Sequence, residues 1–239
     1  MASGLADEVA ERIPRVPLVA VIVPVLGDAA AAGVLLTSLN PRDEVEVVIV
    51  DGGHDAGLDA LAASRSDTRV VRTAPGRARQ MNAGAAVTAT RWLLFLHADS
   101  HLPHGWLDAI MQADRRSDVV GGWFRFRLES QAWQALVIAR LVAWRVRLFR
   151  LPYGDQGIFV RREVFEALGG YREMPLMEDV DFVHKLVRAG RVHEPALAVI
   201  TSARRYERDG WFRRTIRNLT LVTLYFAGVS PVRLARWYQ

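Results

Sequence analysis

LVAVIVPV, residues 18–25, is an unbroken apolar run rich in β-branched side chains, and it leads into Leu26-Gly27-Asp28. A strand with one face in water alternates apolar and polar residues. A run without polar breaks belongs to a strand buried on both faces, as in a parallel sheet covered by helices. Val45–Val50 repeats the pattern and closes at Asp51-Gly52-Gly53, and Ala29–Leu39 between the two reads as a helix stopped by Asn40-Pro41. A short helical stretch from Asp55 follows, then a third strand, Arg69–Arg72. After the Pro75-Gly76 turn come a helical segment, Arg77–Val87, and a fourth buried strand, Trp92–Leu96, which ends in His97-Ala98-Asp99. This alternation predicts a mainly parallel α/β sheet with right-handed crossovers. Ligands of such sheets gather at the carboxyl ends of the strands, where Asp51 and Asp99 both stand.

The second half is less regular. Val119–Leu128 and Gln156–Arg161 read as strands, Gln131–Arg150 as an amphipathic helix, and a further helix ends at Gly169-Gly170. Met177–Ala189 reads as a helix opened by acids, Val192–Thr201 as a last strand, and the tail from Trp211 as basic helix. With no linker and no repeat, the expected organisation is a flexible N-terminus (1–16), one domain with two lobes (17–205, divided into about 17–100 and about 101–205) and a basic helical tail (206–239).

The chain has 239 residues, enough for one large core. It has no cysteine, which excludes disulfides, thiolate metal sites and a cysteine nucleophile. Residues 1–15 carry Asp7, Glu8 and Glu11 and lack the apolar stretch of a secretory signal. No apolar run approaches the ~20 residues of a spanning helix. The expected location is therefore cytoplasmic. A net charge of +5, carried by arginines with Lys185 the single lysine, allows an anionic partner. The arginines are dispersed and form no nucleic-acid reader motif, so nucleic acid is not expected.

Each polar motif also has an ordinary structural explanation. Asp51-Gly52-Gly53 is a common way to leave a strand, and His54 breaks the G-x-G-x-x-G spacing of a dinucleotide site. Asp99 could cap a turn before Pro103, or offer an oxygen to Mg²⁺ or Mn²⁺. Glu178, Asp179 and Asp181 suit a helix N-terminus, whose dipole also favours the ionised carboxylate that a base requires. Gly76–Gly84 (GRARQMNAG) places two arginines and small residues at a helix start, where a pyrophosphate can be held.

In order, VAVIVPVLGDA, VVIVDGG, GRARQMNAGA with LLFLHADS, and YGDQGIFVRREVFEALGGYREMPLMEDVDF resemble family 2 glycosyltransferases over about Leu18 to Arg205. The nearest likeness is to a small bacterial subgroup associated with radical-SAM and selenium-domain genes. The resemblance implies a GT-A fold and a hexosyltransferase-type activity that uses a nucleotide-diphospho-sugar donor. It implies that Asp51, with Gly52, meets the base, and that Arg77 and Asn82 line nucleotide and sugar. Pro24 and Asp28 would border the same site. Asp99 would hold Mn²⁺ or Mg²⁺ as the last carboxylate of a D-x-D motif, beside His97 and Ala98. Asp179 would be the base of an inverting transfer, with Glu178 positioning a substrate. Asp155-Gln156 and Gly169-Gly170-Tyr171 would flank sugar and acceptor. Three positions depart from the family pattern. His97 replaces the first D-x-D carboxylate, Gly27-Asp28 stands for the usual N-E, and Arg204-Arg205 stand where some relatives carry a histidine ligand and could grip the pyrophosphate instead.

The helices of 131–150 and 211–239 combine arginines with aromatic and aliphatic residues, which suits a membrane interface as well as a core-facing stripe. Peripheral contact there, on the cytoplasmic face, would make a lipid-linked acceptor attractive. Two other readings compete with glycosyl transfer. A degenerate nucleotide-sugar-binding scaffold is suggested by His97. A nucleotidyltransferase of related fold is disfavoured because Pro24–Asp28 lacks a basic glycine-rich loop.

Overall fold

The computed structural model describes residues 16–238. Of the expected N-terminal segment 1–16, all but Val16 lie outside the described residues. The first half follows the strand–helix rhythm: β1 (Val19–Val25), α1 (Ala29–Ser38), β2 (Val45–Asp51), α2 (Gly57–Ala63), β3 (Thr68–Arg72), α3 (Arg77–Ala86) and β4 (Trp92–Phe95). α1 starts at Asp28, whose carboxylate accepts the Ala31 N–H at 3.1 Å, satisfying one of the orphan donors of a first turn. After β4 come β5 (Ser100–His101), α4 (Trp106–Asp114), β6 (Val119–Trp123), β7 (Arg125–Glu129) and α5 (Trp133–Phe149). A 3₁₀ turn (Gly154–Gln156) leads into β8 (Ile158–Arg161), α6 (Arg162–Ala167), α7 (Glu178–Ala189), β9 (Arg191–His193) and β10 (Ala198–Ser202). The chain closes with α8 (Arg204–Asp209), α9 (Trp211–Phe226) and α10 (Pro231–Tyr238).

Seven strands form the central sheet in the order β3-β2-β1-β4-β8-β6-β9. β1 pairs in parallel with β2 (Val25 opposite Asp51) and with β4 (Ile22 opposite Phe95), whereas β8 runs antiparallel to β4 and β6. β5, β10 and β7 make a second, three-stranded sheet. Successive β1 residues serve opposite faces. Ala20 and Ile22 pack with Val48, Val50, Met81 and Ala85, while Val19, Val21 and Val23 pack with Leu35, Leu58, Leu107 and Ile110. This two-sided burial is what the unbroken apolar run encodes. Each buried Val, Ile, Leu or Met side chain among them contributes roughly 1.5–3 kcal/mol.

Two expected strands are corrected. Val119–Leu128 divides at Phe124, because the Phe124 N–H donates to Gln156 O and the Arg125 N–H to Leu197 O, moving the chain from one sheet to the other. Val192–Thr201 likewise divides into β9 and β10 around Glu194-Pro195, where proline has no N–H for a ladder. β5 and α4 were not anticipated. Gly122 allows the closest backbone approach in the sheet, since a Cβ there would lie 1.9 Å from His193 O.

A smaller apolar cluster, including Met177, Val180, Leu221, Val222 and Leu234, fastens α9 and α10 to the start of α7. Among the described residues, no helix is long and apolar enough to cross a membrane.

Candidate functional site

The carboxyl ends of β1 and β4 and the N-terminus of α3 open onto one cleft with two lobes. The wider lobe, about 570 Å³, is lined by Pro24 and Asp28 from the β1 loop, Gly76, Arg77 and Gln80 from α3, and His97, Ala98 and Asp99 after β4. α8 closes it with Arg204, Arg205 and Arg208. Four guanidiniums against two carboxylates make this lobe cationic, and the volume suits a ligand larger than a single sugar ring. Arg205 is tied to Asp99, Nη2 to Oδ2 at 2.7 Å.

The narrower lobe shares Arg77, His97 and Arg205 with the first and continues past Tyr153, Gly154, Asp155, Glu178 and Asp179. Its roof is Asn218, Leu221 and Val222 of α9 with Tyr238 of α10. Gly154 marks the junction. A Cβ built on it would lie 2.8 Å from Arg77 Nη2, 2.9 Å from His97 Nε2 and 3.3 Å from Asp179 Oδ2. Glycine therefore lets a cation, an imidazole and a carboxylate converge on one point of backbone. The Gly154 N–H donates to Asp179 Oδ2 at 2.7 Å, which fixes the carboxylate at the first turn of α7. Met177, just before that helix, takes the left-handed conformation (φ 72°), which is costly for a residue with a side chain.

Burial and mutual charge shape the titration of these groups. Glu178 is buried and its carboxyl is pushed above the ordinary range by burial, against the pull of Arg77 and with the help of Asp179. Its Oε1 lies 3.4 Å from Arg77 Nε. Desolvation in the cleft works against the charge of Arg77, whose side chain is still 43% exposed, but Glu178 and Asp179 beside it raise the guanidinium above its ordinary value. His97 is held well below its usual value by burial and by Arg77 and Arg205, so the imidazole is neutral. Asp155 is raised to about 6, chiefly by burial; Asp179 adds to the shift and Arg145 opposes it. The Tyr153 hydroxyl and Asp155 Oδ1 are buried without a hydrogen-bond partner, so two polar atoms at this lobe are unsatisfied by the protein.

Of the residues singled out from sequence, Pro24, Asp28, Arg77, His97, Ala98, Asp99, Glu178, Asp179, Arg204 and Arg205 line the cleft. Asp51, Gly52, Asn82, Gln156 and Gly170 are not among the side chains that line these two lobes, and each makes contacts within the protein. Asp51 is fully buried and accepts the N–H groups of Gly53 (2.8 Å) and Asp55 (2.7 Å), which shapes the loop behind the β1 tip. Gly52 packs against the Gln80 amide, which donates to Val25 O and Val50 O and so locks α3 to the strand ends. Asn82 bonds both backbone groups of Tyr171 (2.7 and 2.9 Å) and leaves no room for a Cβ at Gly170. Buried Gln156 donates to Phe124 O at 2.9 Å. Tyr153 and Gly154, which open the YGDQG motif but were not singled out, also line the cleft, and Tyr206, Asn218 and Tyr238 are cleft residues without a local sequence signal, because tertiary packing brings them there.

Asp99 and the neutral His97 stand together as metal-type donors of the wider lobe, which Asp28, the cap of α1, also lines, and among the described residues no group of three or more His, Asp or Glu side chains could hold a metal alone. That set fits Mg²⁺ or Mn²⁺, which bind through one or two protein donors and complete their shell with phosphate oxygens and water.

Solved structures share the fold. A mannosyltransferase from Pyrobaculum calidifontis, in complex with GDP-Man and Mn²⁺, superposes with a TM-score of 0.59 at 20% identity, over 82% of this chain and 62% of that one. TarS residues 1–349 of S. aureus, with UDP-GlcNAc, gives 0.62 at 17% identity, over 77% and 58%. The chain thus spans about three fifths of either neighbour. In sequence it is 30% identical over 180 residues to a PGL/p-HBAD biosynthesis glycosyltransferase of Mycobacterium bovis and to its counterpart in Mycobacterium tuberculosis, covering 70% of this chain and 68% of theirs. The profile of glycosyl transferase family 2 matches residues 20–169. With the α/β cleft, the D-x-D-like strand end and the acidic start of α7 already in place, these matches make the chain a glycosyltransferase of family 2.

Proposed function

We propose that the wider lobe takes the nucleoside diphosphate of a nucleotide-sugar donor and that the narrower lobe takes a hydroxyl-bearing acceptor. The convergence of Arg77, His97 and Asp179 on Gly154, where the lobes meet, carries this reading, since a reacting anomeric carbon belongs at such a junction. Arg77, Arg204 and Arg205 meet the diphosphate as charge-assisted donors. Asp99, with His97 beside it, would hold the divalent cation, which when bound neutralises charge on the departing diphosphate. Asp51 and Asn82 act through the loops they hold rather than by a free side chain.

Asp179 accepts the acceptor hydroxyl proton as the oxygen bonds to the anomeric carbon. The bond from that carbon to the diphosphate oxygen breaks, and its electron pair leaves with the nucleoside diphosphate. Attack opposite the leaving group inverts the anomeric centre. Glu178, buried against Arg77, keeps that guanidinium in the cleft. The base, the sugar and the acceptor are left open by this chemistry; GDP-Man and UDP-GlcNAc are first donors to try because the neighbours hold them.

Asp179→Asn tests the assignment. Donor cleavage, followed as release of nucleoside diphosphate, should fall about a hundredfold or more, the usual worth of a general base, while nucleotide binding stays within twofold. Undiminished cleavage in the variant would remove Asp179 from the mechanism.

A further inference from the structure

α5 and α9 lie side by side, with the rings of Trp133 and Phe212 5.9 Å apart. Their inner faces are spent on the fold: Ile138, Val142 and Val146 of α5 enter the core, and Leu221 and Val222 of α9 enter the cluster over α7. Their outer faces are apolar as well. Trp144 and Phe149 are 68% and 71% exposed, and Leu148, Ile216, Leu219 and Trp237 of α10 are exposed with them. A helix that is apolar on both sides calls for cover on both, and a patch of this kind on a lone chain marks an interaction surface.

Charge identifies what covers it. Residues 131–150 and 211–239 contain no Asp or Glu. Arg140, Arg147, Arg150, Arg213, Arg233 and Arg236 are exposed there, and among the described residues none has an ion-pair partner. Elsewhere on the surface some arginines pair with acids, as Arg69 with Glu46 and Arg79 with Glu173, and others, such as Arg115 and Arg188, are exposed without an ion pair among the described residues; the absence of any acid from both segments is what sets this face apart. A second copy of this chain would set arginine against arginine across the contact. Trp and Phe mixed with aliphatic residues and long cationic side chains is the composition that enters the headgroup layer of an anionic bilayer, rings at the interface and guanidiniums on phosphates.

We propose that the outer face of α5, α9 and α10 seats the protein on an anionic membrane surface. The inner side of α9 roofs the narrower lobe, so one helix, about 10 Å across, separates that lobe from the lipid. Resting on the transfer reading, this makes a lipid-borne hydroxyl compound the natural acceptor class. The docking itself does not depend on that reading.

The experiment is co-sedimentation of the purified full chain, without donor, with vesicles of phosphatidylcholine alone or mixed with phosphatidylglycerol. The chain should pellet with the anionic vesicles and be released by salt. Trp144→Ser with Phe149→Ser, and separately Arg147→Glu with Arg150→Glu, should each weaken partitioning about tenfold or more while the circular dichroism and melting temperature stay as in the parent. No preference for anionic over neutral vesicles, or binding untouched by either pair, would overturn the proposal. So would a dimer in light scattering that the same substitutions dissolve. Because no donor is present, such a failure would leave the transfer reading standing.

Discussion

At the scale of single residues, the cleft keeps charges where folding alone would not. Asp155 moves from the ordinary 3.8 to about 6, mainly through burial, so between those values the folded chain binds more protons than the unfolded one. Stability therefore falls as pH rises from about 4 to about 6, and the loss is complete above that range. Asp155→Asn should raise stability at pH 8 by on the order of 2 kcal/mol and change little at pH 4, as read from urea unfolding at the two pH values. An equal gain at both would show that charge is not its cause. A carboxylate kept at such a cost, with an unpartnered oxygen in the narrower lobe, is poised for a ligand group. Asp51 and Asn82 teach the reverse lesson. Their motifs are legible in the sequence, but the Asp51 carboxylate accepts from its own loop and the Asn82 amide bonds the distant backbone of Tyr171, and no residue pattern distinguishes an aspartate that meets a base from one that closes a turn.

At the scale of elements, α3 and α7 carry the site, and both depend on close packing. Gly84 lets α3 lie on β1 and β2; a Cβ there would come within 2.5 Å of Ile22 Cγ2 and 2.9 Å of Val50 Cγ2. Gly84→Ala should cost about 1–3 kcal/mol despite alanine's better helix propensity, seen as a lower urea midpoint at unchanged slope. A stabilised variant would mean that the helix has room to shift. β1, β2, β4, α3 and α7 were legible because their burial is continuous or strictly periodic. The divided strands were not. Alternation has the same period in one sheet as in two, and the change of partner at Phe124 is set by Gln156 and Leu197, far away in sequence. The narrower lobe was hidden for a similar reason. Its roof comes from α9 and α10, which read as a basic tail fit for a membrane interface or a core-facing stripe until packing sets them over Asp179.

At the scale of the whole molecule, a cationic lobe and a partly apolar lobe meet at three shared side chains, Arg77, His97 and Arg205. The family 2 match covers residues 20–169 and so takes in the strand ends of the wider lobe, which α8 closes with three arginines; on the proposed reading these arginines would meet the diphosphate. The central claim is that the wider lobe binds a nucleoside diphosphate, and a thermal-shift screen of GDP, UDP and the other nucleoside diphosphates, with and without Mn²⁺ or Mg²⁺, tests it most directly. One nucleotide at a hundredfold excess over its Kd should add about 2.7 kcal/mol of apparent stability, with a metal-enhanced shift that Asp99→Ala removes and Arg205→Ala weakens. A well-folded chain whose melting temperature moves with no nucleotide, with or without metal, would contradict it.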